Sequence, residues 1–188
     1  IGHLNALKGP YSWAYLIRTV WFCYQLIAAL DRLESRVRIL RAYETAPGDV
    51  SRAWDNARLM LDECRGPGEI RDVEKAANEL FDALPLRRVP PKERLRVGIV
   101  GEIYVAMESH ANLDLEETLA RLGVEVVNSQ YVSHWLQHNA KFAPWQRTYT
   151  ETILEKATPY LKIDLGGHDK ENIAHMILFR DQGVDGII

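Results

Sequence analysis

Few side chains in this sequence stand at spacings that could do chemistry. Glu102 follows Gly101 at the end of "LRVGIVGE" (95–102), where a glycine lets a backbone or a ligand approach closely. A carboxylate at that point can hold a ligand hydroxyl, act as a base, or cap a neighbouring helix N-terminus. "GGHD" (166–169) sets Gly166, Gly167 and His168 ahead of a helical run. Free N–H groups there can meet an anion, or Asp169 can cap the helix and leave a tight loop. His134 and His138 are four residues apart, the spacing of two ligands on one helix face, and His168 with His175 is a looser pair. Neither pair has a Glu at the metalloprotease spacing or an evident third ligand, so no metal site is expected and a surface or interface role is preferred. Cys23 and Cys64 form no CxxC and have no His at ligand spacing, which argues against a disulfide framework or a complete zinc or iron–sulfur site in this chain. "VGIVGE" has G-x-x-G but no third glycine opening a helix, so it is not a dinucleotide fingerprint.

Composition narrows the partners. The chain has 188 residues and a formal net charge of -3, long enough for one good core or two small ones. That balance makes no electrostatic case for a nucleic acid or an anionic membrane surface, which need a basic face. The most apolar run, "WAYLIRTVWFCYQLIAAL" (13–30), contains Arg18, Gln25 and several aromatic residues. It is expected to be a buried amphipathic helix and not a membrane span, and it lacks the basic n-region and cleavage site of a signal peptide.

The elements that must position these residues divide near residue 90. Residues 1–90 carry the helical period throughout: Leu16, Val20, Leu26, Ile27, Leu30, Leu33, Val37 and Leu40 return at spacings of three and four. "TAPGD" (45–49) breaks the run, Asp49 or Ser51 can cap a second helix bearing Trp54, Ala57, Leu61 and Cys64, and "RGPG" (65–68) ends it. A third helix places Val73, Ala77, Leu80 and Leu84 on one side. "VPPKER" (89–94) is a linker, because two prolines in succession cannot continue a helix.

Residues 95–188 alternate strand and helix. A β-branched run at 96–100 and "VEVVN" (124–128) flank a helix over 113–122, with Asp114 and Glu117 in capping positions, Leu115, Leu119 and Leu122 inward, and Gly123 just past its end. A more variable helical stretch fills 131–160. A helix over 169–182 with Ile173, Met176 and Ile177 inward then leads to a third strand at 184–188. The β–α–β order predicts neighbouring parallel strands joined by right-handed crossovers. The expected fold class is therefore α/β, a Rossmann-like or flavodoxin-like parallel sheet flanked by helices, preceded by an all-helical segment. In such sheets ligands sit beyond the carboxyl ends of the strands, which directs attention to residues 101–112 and 129–135.

Four quoted segments carry a resemblance. "RVGIVGEIYV" (96–105) followed by "NLDLEETLARLGVEVV" (112–127), then "LGGHDKENIAHMILFRDQGVDGII" (165–188), and upstream "RILRAYETAPGDV" (38–50), resemble the family related to the activator and dehydratase components of 2-hydroxyglutaryl-CoA dehydratase and benzoyl-CoA reductase. The similarity covers roughly residues 10–188 and is strongest to the branch described as CoA-substrate-specific enzyme activase-related. It implies an anaerobic, cytoplasmic iron–sulfur protein working on acyl-CoA, whose better-known relatives use one low-potential electron to form a ketyl radical and lose water from a 2-hydroxyacyl thioester. In that family the strand resembling "VDGII" runs on into a loop of the type "PFTCMPE", whose cysteine helps hold the cluster. Neither Cys23 nor Cys64 falls at that motif, so the resemblance assigns no cofactor to this chain. It implies a fragment, inactive alone, whose parent holds the redox centre. The ligand-binding residues expected from the strand ends and the helix N-terminus that opens on the same side are Gly101, Glu102, Tyr104, Gly166, Gly167 and His168. Their partner would be acyl-CoA or another anionic small molecule, alongside a partner subunit or the remaining domains of the parent. A non-catalytic α/β module that binds a small anion or a partner subunit is the alternative.

Overall fold

The apolar spacing of the first forty residues produces one long helix, α1 (Trp13–Arg41), in the computed structural model, which describes residues 10–139, 147–163 and 168–188. The Ser12 hydroxyl caps it, accepting from the Tyr15 backbone N–H at 3.1 Å. Ala29, Leu33 and Val37 are buried, but Trp13, Tyr15, Ile17, Val20 and Trp21 are exposed. The expectation of a buried helix over 13–30 thus holds only for its C-terminal end. By length and composition alone α1 could cross a membrane, yet only 11 % of its apolar window is buried. The reason is length: α2 (Asp49–Asp62) and α3 (Pro67–Asp82), of 14 and 16 residues, cannot cover a helix of 29.

These three helices enclose the larger core, built on Leu33, Val37, Trp54, Leu61, Ile70 and Phe81. Neither Asp49 nor Ser51 caps α2. Gly48, at φ 88°, turns the chain in the left-handed region that glycine tolerates. The carboxylate of Glu44 then accepts from the N–H groups of Gly48 and Val50 at 3.1 and 3.2 Å. In α3 the residue one turn after Ala77 that reaches the core is Phe81, and Leu80 is exposed.

After a short 3-10 turn at Pro91–Glu93 the chain continues as β1 (Leu95–Ile99), α4 (Ile103–Met107), α5 (Leu115–Arg121), β2 (Val124–Asn128), α6 (Val132–Asn139), α7 (Tyr149–Ala157), α8 (Asp169–Asp181) and β3 (Gly186–Ile187). The strands form one parallel sheet in the order β2-β1-β3. Val97 stands opposite Val126 and Gly186, and Gly98 opposite Val127 and Ile187. The chain is therefore mixed α/β, with a small three-stranded parallel sheet flanked by helices and a helical segment before it. β3 is shorter than the expected 184–188, yet Asp185 N and Ile188 N still donate to the carbonyls of Arg96 and Gly98 at 2.9 Å. The Asp185 carboxylate also accepts from Arg96 N.

The two faces are covered differently, because alternate strand residues point to opposite sides. Ile99 and Val126 meet Leu115 and Leu119 of α5. Leu122, expected inward, is exposed, since α5 ends at Arg121 and Gly123, at φ 80°, swings the chain into β2. Asp114 does not cap α5. It is itself left-handed at φ 54°, and Asn112 Oδ1 accepts from Leu115 N at 3.1 Å instead. On the other face, α8 lays Phe179 over Gly98, where an added Cβ would come within 2.3 Å of the ring. Behind it Ile153 and Ala157 of α7 pack on Ala174, with Ile173 beside them. Met176, expected inward, is exposed, because Phe179 and Ala174 hold the covered side of α8.

The end of α1 is bonded to the sheet. Tyr43 donates its hydroxyl hydrogen to Glu125 Oε1 at 2.6 Å, with Arg96 3.6 Å from the same carboxylate. Burial first, then the bond to Glu125 and its charge, push the Tyr43 phenol up to about 12. The folded state thus keeps a proton that the unfolded chain releases near pH 10. The stability linked to it is complete below about pH 10 and declines as pH rises towards 12. Chemical denaturation from pH 9 to 12 is expected to show that decline, shallower in Tyr43→Phe; equal slopes in the two proteins would refute it. Gly98→Val is expected to lose about 1–3 kcal/mol in urea unfolding, because the Phe179 ring cannot retreat without uncovering the sheet.

Candidate functional site

The turn after β1 is built by a carboxylate. Glu102 is the N-cap of α4, and its Oε2 accepts from the N–H groups of Tyr104 and Val105 at 2.9 and 3.2 Å. Of the three roles open to this side chain, capping is the one with bonds to it, and the helix it caps is its own and not the one over 169–181. The Tyr104 side chain is 65 % exposed. Gly101 differs from Gly98 in a way that matters. Among the described residues an added Cβ would meet only the Cβ of Ala106, at 4.0 Å, so packing against them does not demand glycine there.

The start of α8 reaches this turn. Gly101 donates its N–H to Asn172 Oδ1 at 3.1 Å, and Asn172 N donates to the carbonyl of His168 at 2.8 Å. His168, the N-cap residue of α8, caps nothing with its side chain; its Nε2 lies 3.8 Å from Glu171 Oε2. The structure thus joins Gly101, Glu102 and Tyr104 with the His168 turn through Asn172. Asp169 lies within the first turn and is not the cap residue. Gly166 and Gly167 lie outside the described residues, as does the side chain of His138.

The turn after β2 is held by a buried polar chain that begins in α1. Arg38 donates from Nε to Glu116 Oε2 at 2.8 Å, and its Nη2 lies 3.3 Å from Glu34 Oε2. Burial opposes the Arg38 charge, but Glu116 and Glu34 beside it raise its pKa nonetheless; burial also pushes the Glu34 carboxyl up. Glu116 Oε1 accepts from Asn128 Nδ2 at 2.9 Å, and Asn128 Oδ1 accepts from Gln130 N at 2.9 Å. Beyond that turn a cavity of about 400 Å³ opens between the end of β2 and α8. Asp31 of α1 accepts from Ser133 N at 2.7 Å and so ties the start of α6 to α1.

The cysteines do not fit an iron–sulfur cluster. Cys23 is exposed on α1, while Cys64 is buried at the end of α2 and donates to the Met60 carbonyl at 3.5 Å. Burial pushes the Cys64 thiol up, away from the thiolate a metal needs. Among the described residues no group of three His, Cys, Asp or Glu could hold a metal ion.

Asn172, Asn128 and Gln130 escape a reading of the sequence. Each is an ordinary amide in an ordinary window, and each matters only through a partner or a burial that the fold supplies. The sole cue is position, since Asn128 and Gln130 bracket the end of a strand. Asn172→Ala is expected to cost about 1 kcal/mol and to remove hydrogen-exchange protection from the Gly101 amide. Glu102→Gln, which keeps an acceptor for the cap, is expected to change stability by less than about 0.5 kcal/mol. Retained protection at Gly101 in Asn172→Ala would break the proposed link between the two turns. Compared with protein-family models, curated proteins and solved structures, the chain has no significant match.

Proposed function

We propose that this chain is part of an iron–sulfur protein related to the 2-hydroxyacyl-CoA dehydratase components and their activators, a cytoplasmic protein of anaerobic metabolism. In this reading residues 95–188 form a Rossmann-like, doubly wound scaffold, inactive alone. The redox centre belongs to residues outside this chain, because the two cysteines here do not make a ligand set. No step of the chemistry is assigned to any residue of this chain. Its contribution is a polar crevice at the strand ends that positions acyl-CoA or another anionic ligand against the rest of the protein.

One observation carries this reading. Two of the segments that carry the resemblance, "VGEIY" after β1 and the run that continues through His168–Asn172 at the start of α8, are far apart in sequence, and Gly101 N donates to Asn172 Oδ1 between them. Gly101 adds support, since close approach by a ligand accounts for a glycine that packing does not demand. The position agrees with the rule that open parallel sheets bind ligands beyond their carboxyl ends.

The test is anaerobic reconstitution of the longer protein with iron and sulfide. The expected outcome is an iron–sulfur absorption spectrum in that protein and none in the 188-residue chain treated alike. A longer protein that stays colourless while binding a small anion would favour a non-catalytic binding module instead.

A further inference from the structure

We propose that the cavity at the carboxyl end of β2 is a binding site for an uncharged, hydroxyl-rich ring compound, the chemistry that a free sugar shares with the ribose of a nucleoside. The site is distinct from the Glu102 turn, and the proposal does not depend on the redox reading above. A longer protein without a cluster would leave it standing.

The first observation is an amide that is buried without a partner. Gln130 is only 5 % exposed, its backbone N–H is committed to Asn128 Oδ1, and its side-chain Nε2 has no hydrogen-bond partner among the described residues. The neighbouring Ser129 hydroxyl is buried and unpartnered as well, and both residues line the cavity. An unsatisfied buried amide costs a folded protein about 1–3 kcal/mol. A leucine of similar size would avoid that cost, so stability alone does not account for Gln130. A ligand that supplies the missing partner does.

The second observation is the charge of the wall. The described residues lining the cavity, whose basic side chains are the imidazoles of His134 and His175, include no Lys or Arg. Their one carboxylate, Glu171, faces His168. A phosphate or carboxylate brought here would lose its hydration with only imidazoles, and no Lys or Arg, to offset the loss. Uncharged hydroxyl groups suffer no such penalty. They both donate and accept, as do the hydroxyls of Ser129 and Thr150 and the carboxamides of Gln130 and Gln182 along the wall. Tyr131 and Trp135 supply an apolar side of the kind that packs on the C–H face of a ring. The volume of about 400 Å³ lies within the range of small-molecule pockets.

Saturation-transfer NMR on the purified chain tests this, with ribose, glucose, uridine and inorganic phosphate as separate probes at millimolar concentration. Transfer to ribose and uridine points to a nucleoside as the source, transfer to glucose to a free sugar, and either supports the proposal. Gln130→Leu is expected to weaken that binding about tenfold or more while raising the urea midpoint, because it removes a buried amide that has no partner. Should that variant fail to fold, Ser129→Ala carries the same expected loss of binding. The proposal is overturned if none of the three hydroxylated probes binds, if phosphate binds in preference, or if the folded variants bind as the parent does.

Discussion

One buried charge organises the molecule. The Arg38 side chain is 4 % exposed, and a guanidinium that deep must find acceptors or unfold what surrounds it. Its acceptors come from two helices, Glu34 on α1 and Glu116 on α5. Glu116 is then fixed in an orientation that receives Asn128 at the end of β2. Asn128 in turn receives the backbone of Gln130, and the Arg38 guanidinium sits 5.2 Å from the centre of the Tyr131 ring. A single side chain on the first helix thereby sets the shape of the turn that borders the cavity. The network is not fully closed, because Arg38 Nη1 is buried without a partner, as is Nε of Arg41 one turn along.

The same logic joins the helical segment to the sheet. Asp31, Arg38 and Tyr43 all lie on or just after α1, and each bonds a residue of the strand–helix region: Ser133, Glu116 and Glu125. All three contacts are buried or partly so, which makes them costly to break one side at a time. By contrast residues 13–21 of α1, beyond the reach of α2 and α3, make no comparable contact among the described residues and leave Trp13, Tyr15 and Trp21 exposed.

What the sequence reveals and what it hides follow from the range of the interactions. Strand and helix alternation after residue 95 is legible because period and glycine placement are local, and parallel pairing follows from the crossover rule. Inward faces are legible where the helix is long enough to declare a stripe, as with Leu115 and Leu119 or Trp54, Ala57 and Leu61. They fail at helix ends, at Leu122, Leu80 and Met176, where a shift of one residue decides between core and solvent. Caps fail when the acceptor arrives from outside the helix, as Glu44 does for α2 and Asn112 for α5. The G-x-x-G of β1 hides two unrelated causes. Gly98 is required by an aromatic ring that arrives from α8, and packing against the described residues does not require Gly101.

The distribution of charge bears on how an anionic ligand could be held. The basic residues that flank the sheet, Arg94 and Arg96, lie at the start of β1 and face Glu125, away from the carboxyl ends. At the turn after β1 the ionisable side chains described include a capping carboxylate, Glu102, and the Glu171–His168 pair, while Arg38 at the turn after β2 is already engaged by Glu116 and Glu34. An acyl-CoA or phosphate group bound against the turn after β1 would therefore rely on backbone N–H groups and on cations from elsewhere in its assembly. On the proposed reading this chain would supply shape and neutral hydrogen bonds at that turn, and the compensating charge would have to come from other segments or a partner subunit.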